Sequence, residues 1–396
     1  MSQDINTTGF THRARVMRVL NYEQYDRLPI VTMGFWPETL LRWQAEGHLS
    51  EEEVKMHREG NRYDRAILGK LGFDFSWEGT FVRPNTRLLP SFKCKVIEEF
   101  PDGTRTMQNA DGVTVIEKDG LVSIQAEVEH LLKDRRSWEE LYLPKLQFSE
   151  QRIESALVAI DGVKTPFNEG CLEHLATHGQ NDEIYHILHC GSLIGFIRNL
   201  TGVVGLSYIY ADDEPLFDEI INTVGKLSYQ CVENILRRGA RFDMAQFWED
   251  ICFKNGPLIN PNVFREKVGP HYLRITELLR QHGINIVALD CDGCIDTLIP
   301  TWLENGVNTM FPIEVGTWGG SIAKWRLKYG EKIRGVGGMD KRVFALDKIA
   351  VNREIERLKP LVELGGYIPM PDHRIPPDAL WENVAYYCEQ MRIEFT

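Results

Sequence analysis

Long apolar runs are absent from this sequence. No stretch approaches ~18 uninterrupted apolar residues, so we predict no membrane-spanning helix. A basic excess is absent too, because 57 acidic residues outnumber 45 basic ones and give a net charge of -12. An acidic chain repels phosphate backbones and anionic lipid surfaces. The composition therefore predicts neither nucleic acid nor a membrane as a partner.

A disulfide framework is also absent. The eight cysteines are scattered through 396 residues without a regular spacing. The N-terminal segment contains no apolar run of the kind that a signal peptide needs. Reduced, scattered cysteines without a leader are typical of a cytoplasmic protein, which is the location we predict.

Strand-like apolar runs alternate with longer helical segments from about residue 150 onward. Six such runs occur there: "EIYHILHC", "FDMAQFW", "NIVALDCDG", "TMFPIEV", "KIRGVGGMD" and "YIPM". Two earlier runs, "RLPIVTMGFW" and "FDFSWEG", bring the number to eight. Eight strand-helix units predict one closed (β/α)8 barrel, a TIM barrel, over residues 1–396. A doubly wound open sheet is the alternative.

Residues 81–128 depart from this alternation. The turn signals "FPDGT", "NADGV" and "EKDGL" recur there about every nine residues. Asp-Gly between short alternating runs is the signature of a β-hairpin. We predict an antiparallel β-hairpin insertion after an early strand. It would cover the barrel mouth or form the contact of a homodimer.

Acidic residues follow several of the predicted strands. In a (β/α)8 barrel the functional residues lie at the carboxyl ends of the strands, so these residues are the candidate site. They are Glu249 and Asp250 after "FDMAQFW", Asp290 and Asp292 in "LDCDG", Glu314 after "MFPI", Asp340 after "GVGGM", and Asp372 with His373 after "YIPM". So many acids in one mouth would repel one another unless a cation or protons neutralise them.

A metal ion is the favoured cation. Asp290 and Asp292 are two residues apart, so a regular strand places both on one face and Cys291 on the other. With Glu314 and His373 they form a nitrogen and oxygen ligand set that suits Zn²⁺. A bulge at Asp292 would exchange Cys291 for one of the aspartates.

Structural roles are the alternatives for these residues. Asp292 could cap the helix that follows, and His373 could be a hydrogen-bonded structural histidine. Glu249 and Asp250 are the candidate catalytic acids, but they could instead bind the backbone of a neighbouring loop. The "CDGC" segment has no second cysteine pair, so it is read as a chance CxxC spacing.

Several segments together resemble the uroporphyrinogen decarboxylase superfamily. They are "RARVMRVLNYEQYDRLPIV", "NGPLINPNVFREKVGPHYLRI", "GINIVALDCDG", "GVGGMDKR" and "GGYIPMPDHRIPPDALWENV". The resemblance extends over nearly the whole chain and implies a (β/α)8 barrel. The superfamily contains metal-free porphyrinogen decarboxylases and zinc-dependent methyltransferases that act with corrinoid proteins.

The early arginine motif of the decarboxylases is missing. Where those enzymes carry a motif of the type "PVWxMRQAGR", this chain reads "PIVTMGFWPETLLRWQAEG", with Met33 to Pro37 in place of the arginine. A substrate rich in carboxylates would also meet an acidic mouth. A metal-free decarboxylase is therefore the alternative rather than the leading interpretation.

The zinc motif of the thiol-specific methyltransferases is altered. Aligned with their His-x-Cys-Gly motif, Asp290 replaces the histidine and Asp292 the first cysteine. His373 falls where the last cysteine would be. The ligand positions persist while the ligand types become oxygen and nitrogen, which suits an oxygen substrate better than a thiolate.

The resemblance therefore implies a corrinoid-dependent O-demethylase, of which this chain would be the methyltransferase that takes a methyl group from a methyl ether. The aromatic residues Phe35, Trp36 and Trp248 would hold a methoxylated aromatic ring. The chain has no Asp-x-His-x-x-Gly cobalamin motif. Its cobalamin would thus be carried by a separate corrinoid protein, and its small-molecule partner would be the methyl donor. A non-catalytic binding barrel is the remaining alternative.

Overall fold

The computed structural model describes residues 9–118, 125–160, 163–177, 183 and 185–396. Its strands are β1 (Val31–Thr32), β2 (Phe75–Ser76), β3 (Phe81–Val82), β4 (Lys95–Glu99), β5 (Thr104–Gln108), β6 (Val113–Lys118), β7 (Ala126–His130), β8 (Leu157–Ile160), β9 (Val163–Pro166), β10 (Ile187–His189), β11 (Met244–Trp248), β12 (Cys252–Phe253), β13 (Gly256–Pro257), β14 (Ile286–Asp290), β15 (Thr309–Ile313), β16 (Arg334–Met339) and β17 (Tyr367–Pro371).

The α-helices lie mainly between these strands. They are α1 (His12–Leu20), α2 (Pro37–Ala45), α3 (Glu51–Met56), α4 (Arg62–Leu71), α5 (Arg135–Ser137), α6 (Gln151–Glu154), α7 (Leu172–Ala176), α8 (Ile194–Asp212), α9 (Glu214–Arg237), α10 (Pro261–Val263), α11 (Gly269–Gln281), α12 (Ile299–Glu304), α13 (Val315–Trp318), α14 (Ile322–Tyr329), α15 (Lys348–Val362) and α16 (Trp381–Glu394). None of the helices in the described ranges is both long and apolar enough to cross a bilayer.

A seven-stranded parallel sheet forms the centre of this mixed α/β fold. Its strand order is β3-β10-β11-β14-β15-β16-β17, so each new strand is added on the same side as the one before. A doubly wound sheet would reverse direction at a switch point, and this order does not reverse. The central strands β11, β14 and β15 are almost entirely buried, as expected for a parallel sheet covered by helices.

Strand hydrogen bonding does not close this sheet into a ring within the described residues. β1 and β2 form a separate parallel pair, and a 3₁₀ turn at Trp77–Thr80 separates β2 from β3. The predicted closed barrel is thus not detected. Sequence reasoning also placed Phe81–Val82 in the insertion, but β3 pairs with β10 in the parallel sheet.

Prolines explain why β17 does not extend a ladder toward β1. The backbone N–H of Asp372 donates to the carbonyl of Met339 at 2.8 Å, so alternate N–H groups of β17 face β16. Pro369 and Pro371 are at the alternate positions of β17, where a backbone N–H would point away from β16. Because proline has no N–H, these positions cannot donate to a further strand on that side. On the side of β17 away from β16, an isolated bridge pairs Phe35 with Ile375.

The Asp-Gly segment forms a four-stranded antiparallel sheet in the order β4-β5-β6-β7. Gly103 and Gly112 have φ of 79° and 80° at the first two turns, where glycine is favoured. The third Asp-Gly pair, at residues 119 and 120, lies outside the described residues. The antiparallel strands extend over Lys95–His130 rather than 81–128.

Candidate functional site

Three aspartates converge where β11 and β14 end. Asp250 follows β11, Asp290 is the last residue of β14, and Asp292 follows it. One carboxylate oxygen from each lies within 4.8 Å of the other two. Since Trp248 and Asp290 are directly paired in neighbouring strands, the chain segments that follow them start side by side. We call Asp250, Asp290 and Asp292 the aspartate cluster.

Backbone geometry holds this cluster together. Asp250 has a φ of 43°, a left-handed conformation that is uncommon for a residue other than glycine. Its carboxylate accepts a hydrogen bond from the backbone N–H of Asp292 at 3.1 Å. β14 ends at Asp290, so this hydrogen bond, rather than strand alternation, places Asp292 beside Asp290. The capping interpretation of Asp292 is wrong, because α12 begins at Ile299.

The electrostatics of the cluster favour a bound cation or bound protons. Burial, followed by the neighbouring Asp292 carboxylate, raises the pKa of Asp250 to about 7. Burial and the charge of Asp250 raise the pKa of Asp290 well above its ordinary value. Carboxylates that share a buried space cannot all be ionised without compensation. A divalent cation would supply that compensation.

His373 adds a nitrogen donor next to the cluster. Its Nε2 lies 3.4 Å from Oδ2 of Asp292, and its ring stacks on Trp36 at a centroid distance of 5.7 Å. Oδ1 of Asp292 is buried and has no hydrogen-bond partner among the residues that the structure describes. A buried carboxylate oxygen without a partner is costly, so it indicates a position for a ligand. Asp372 is separate from the cluster, because it accepts hydrogen bonds from Val315 and Gly316 at the start of α13.

Glu314 lies beside the cluster but is already hydrogen-bonded. Its Oε2 accepts from the backbone N–H of Gly293 at 2.6 Å, and its Oε1 accepts from the hydroxyl of Thr317 at 2.7 Å. Burial and the nearby Asp292 charge raise the pKa of Glu314. Of the four predicted zinc ligands, the structure groups Asp290 and Asp292 with Asp250, places His373 next to them, and uses Glu314 to hold the turn after Asp292.

Glu249 is directed to α8 and α11 instead. Its buried carboxylate accepts hydrogen bonds from the backbone N–H groups of Leu193 and Gly195, at 2.9 and 2.7 Å, and from the Tyr272 hydroxyl. Burial raises the pKa of Glu249 to about 7. This is the backbone-binding arrangement that sequence analysis kept as the alternative for Glu249.

Cys291 does not belong to the group of possible metal ligands that the three aspartates form. Its side chain is buried and contacts Cys252, and burial raises the pKa of its thiol well above the ordinary value. All eight cysteines are free thiols. Cys291 therefore does not take the position of Asp290 or Asp292, which is the exchange that a bulge at Asp292 would have produced.

A cavity of about 440 Å³ opens next to Asp290. Trp248 lines it, as predicted, together with residues that sequence analysis did not select: Glu78, Phe81, Arg83, Arg87, His189 and Phe196. Phe35 and Trp36 line a neighbouring cavity of about 570 Å³ instead. Trp36 still borders the aspartate cluster through its stacking on His373.

The strand-end rule could have found His189, because it is the last residue of β10 in "EIYHILHC". Arg83 and Arg87 carried no such signal, since "FVRPNTR" was read as part of the insertion. Glu78 was also missed. It forms ion pairs with Arg83 and Arg374 at 3.2 and 3.1 Å, and Arg374 pairs with Glu59 as well.

The donor set fits a divalent metal ion. Three carboxylate oxygens that lie within 4.8 Å of one another, together with an adjacent imidazole, suit an oxygen and nitrogen site for Zn²⁺. Two of the predicted zinc ligands, Asp290 and Asp292, belong to this group together with Asp250, the predicted catalytic acid. The zinc ligand set itself stays a prediction.

Comparison with known proteins identifies the fold. No family model matches the sequence, and no curated protein matches it. A methyltransferase from Methanosarcina mazei is similar in structure, with a TM-score of 0.59 and 14% identity over 97% of this chain and 99% of that chain. A B12-independent methionine synthase from Shewanella sp. W3-18-1, in complex with selenomethionine, gives a TM-score of 0.47 and 12% identity over 93% of this chain and 98% of that one. The first likeness shows a shared fold.

Proposed function

We propose that this protein is a zinc-dependent methyltransferase that removes the methyl group from a methoxylated aromatic compound. The acceptor is the cob(I)alamin of a separate corrinoid protein. The observation that carries this proposal is the aspartate cluster with His373, beside a cavity that Trp248, Phe81 and Phe196 line. The fold shared with the Methanosarcina methyltransferase supports it.

Asp250, Asp290, Asp292 and His373 would hold the metal ion in this proposal. When bound, Zn²⁺ supplies a Lewis acid that stabilises negative charge on the ether oxygen. The bond between the methyl carbon and that oxygen breaks, and its electron pair stays on the oxygen. The cob(I)alamin of the second substrate would supply the electron pair of the new bond to the methyl carbon, and the phenolate would take up a proton from solvent.

The surrounding residues orient this site. Glu314 fixes the backbone of Gly293, so it holds Asp292 in place as a positioning residue. Glu249 joins the end of β11 to the start of α8, which carries Phe196 of the cavity wall. Trp36 stacks on His373 and limits the rotation of its ring. Preorganised donors of this kind lower the cost of binding a metal ion and its substrate.

Methyl transfer from a panel of methoxylated aromatics to a reduced corrinoid protein tests the proposal. Methylcobalamin formation, followed by its absorbance, should require this protein and bound zinc. Asp292→Asn should lower the rate by at least about 100-fold, since it removes one charged donor while keeping the shape. Decarboxylation of uroporphyrinogen by the pure protein without a corrinoid would overturn the proposal.

Decarboxylation is the second candidate because of one observation. The cavity beside Asp290 is also lined by Arg83 and Arg87, which suit a carboxylate of the substrate. A metal-free decarboxylase would release CO₂ at an unchanged rate after zinc is removed. Zinc removal followed by a CO₂ assay separates the two candidates.

We also propose that the seven-stranded sheet and the β1-β2 pair together form the wall of a (β/α)8 barrel. The unidirectional strand order and the Phe35–Ile375 bridge support it. An experimental structure with β1 and β17 separated by solvent would contradict this arrangement.

A further inference from the structure

We infer that Arg198 is a positioning residue of the proposed metal site, which it serves by holding the backbone of Asp250. Its hydrogen bond keeps the Asp250 carboxylate within 4.8 Å of those of Asp290 and Asp292. The inference rests on the proposed function and concerns the same site. Arg198 lies in α8, 52 positions before Asp250, and sequence analysis did not select it.

The contact between Arg198 and Asp250 is made to the backbone. Nη2 of Arg198 donates to the carbonyl oxygen of Asp250 at 3.1 Å. Asp250 has a φ of 43°, which costs free energy for a residue other than glycine. Relaxing this φ would move the carbonyl that follows it, so the hydrogen bond opposes the relaxation. The side chain of Asp250 is held as well, by the backbone N–H of Asp292.

The start of α8 is fixed to the same chain segment. The carboxylate of Glu249 accepts hydrogen bonds from the backbone N–H groups of Leu193 and Gly195, at 2.9 and 2.7 Å. A Cβ at Gly195 would lie 1.8 Å from the carbonyl oxygen of Glu249, so helix and strand end are in close contact there. Residues three apart lie on one face of a helix, and this contact therefore brings Arg198 beside Asp250.

Arg198 has no ion-pair partner of its own. Its side chain is half-buried, and no carboxylate in the described parts of the chain lies within ion-pair distance of it. Its Nε is buried and has no hydrogen-bond partner there either. Burial and the Asp292 charge raise the pKa of Asp250, whereas the charge of Arg198 lowers it. The charge of Arg198 thus acts on the aspartate cluster.

Two effects of Arg198 on a bound cation have opposite signs. Its positive charge repels the cation, so removing the charge alone should strengthen zinc binding. Its hydrogen bond orients a ligand, so removing the bond should weaken zinc binding. Loss of such an outer partner lowers metal affinity by about 10–100-fold, while solvent reduces the repulsion of a half-exposed charge. We therefore expect the positioning effect to exceed the repulsion.

Zinc affinity of the full-length protein tests this sign. It is measured by competition with a chromophoric chelator for the wild type, Arg198→Met and Arg198→Lys. Methionine matches arginine in helix propensity and keeps an apolar stem, but it has neither charge nor donor. Arg198→Met should bind zinc at least about tenfold more weakly than the wild type. Arg198→Lys keeps a charge and a donor and should recover part of this loss.

Cobalt(II) in place of zinc gives a second measurement. Its visible absorption depends on the number and geometry of its ligands, so a displaced Asp250 should change the spectrum of Arg198→Met. A loss of stability that leaves the site intact would not change it. Arg353→Met is the matched control, because it makes the same substitution at an exposed position inside a helix, α15. It should keep the wild-type affinity and spectrum.

Circular dichroism checks that each variant is folded. Unchanged or higher zinc affinity of Arg198→Met would overturn the inference, because repulsion would then be the larger effect. An unchanged cobalt spectrum, no recovery with lysine, or a wild type that binds no zinc would also overturn it.

The proposed function fails separately, since these measurements use neither a corrinoid protein nor a methyl donor. If Arg198→Met binds zinc more weakly but the wild type forms no methylcobalamin, the positioning role stands and methyl transfer is wrong. If the wild type shows zinc-dependent methyl transfer and Arg198→Met equals it in zinc affinity and rate, methyl transfer stands and the positioning role is wrong.

Discussion

The backbone N–H of Asp292 donates a hydrogen bond to the carboxylate of Asp250 at 3.1 Å. This contact joins the segments that follow β11 and β14, and Asp250 makes it from a left-handed backbone conformation. Strained conformations persist where the surrounding structure holds them, and they cluster at functional sites. The aspartate cluster is therefore formed by the fold before any ligand binds.

Removing a carboxylate from the cluster should abolish tight metal binding. We expect Asp250→Asn, Asp292→Asn and His373→Ala each to lower zinc affinity by more than about 100-fold, because each removes a donor. Glu314→Gln should cost only about tenfold, since Glu314 acts through the backbone of Gly293. Zinc content by mass spectrometry after dialysis against a weak chelator measures this series. Asp378→Asn, at an exposed position, is the control. Full stoichiometric zinc in the Asp292 and His373 variants would refute the site.

A methyl group at Gly195 should break the junction between α8 and β11. A Cβ there would lie 1.8 Å from the backbone oxygen of Glu249, and backbone cannot move aside as a flexible side chain can. We expect Gly195→Ala to lower the free energy of unfolding by about 3 kcal/mol or more. Gly205→Ala on the same helix meets only ordinary contact with Thr201 at 3.4 Å. It should be neutral or stabilising by up to about 1 kcal/mol. Urea unfolding compares the two, and similar losses would show that the close approach at Gly195 is not decisive.

Loss of Arg374 should leave two carboxylates facing each other. Arg374 pairs with both Glu59 and Glu78, and all three side chains are largely buried. We expect Arg374→Met to destabilise the protein by about 3 kcal/mol. Adding Glu59→Gln should restore part of this loss, because Glu59 loses its Arg374 partner whereas Glu78 keeps its ion pair with Arg83. Arg62→Met, at an exposed site, should leave stability unchanged. Chemical unfolding of the single and double variants decides the matter, and a double variant less stable than Arg374→Met alone would argue against the explanation.

His189 should make stability depend on pH. Burial, then Arg83 and Arg87, lowers the pKa of His189 to about 3 in the folded protein, whereas a histidine in the unfolded chain titrates near 6.5. Between these two pKa values the unfolded state binds more protons than the folded state. The contribution of His189 to the free energy of unfolding is therefore fully present above pH ~6.5. It falls as the pH decreases toward ~3, by up to about 1.4 kcal/mol per pH unit. His189→Gln should lose this component. Thermal unfolding at pH 7.5 and 5 provides the comparison, and parallel curves for the wild type and the variant would contradict the prediction.

Strand-end reasoning recovered much of the candidate site from the sequence. It selected Asp250, Asp290, Asp292 and His373, since apolar runs that end on acids can be recognised locally. It assigned Asp250 to catalysis rather than to the metal-binding group. That difference arises because β14 ends at Asp290 and hydrogen bonds between two separate loops determine where Asp292 lies.

The alternation of strands and helices can be predicted from the sequence, because hydrophobic periodicity reports which face of each element is buried. The sequence also determined which acids follow the strands. The folded chain shows which of those acids converge and that Glu249 binds the start of α8. It also shows that Arg83 and Arg87 line one cavity with His189, which lies more than 100 residues further along the chain. Side chains converge through the pairing of distant strands and the hydrogen bonds of the loops between them. Those contacts depend on the positions of segments far apart in the sequence, and local periodicity does not encode such positions.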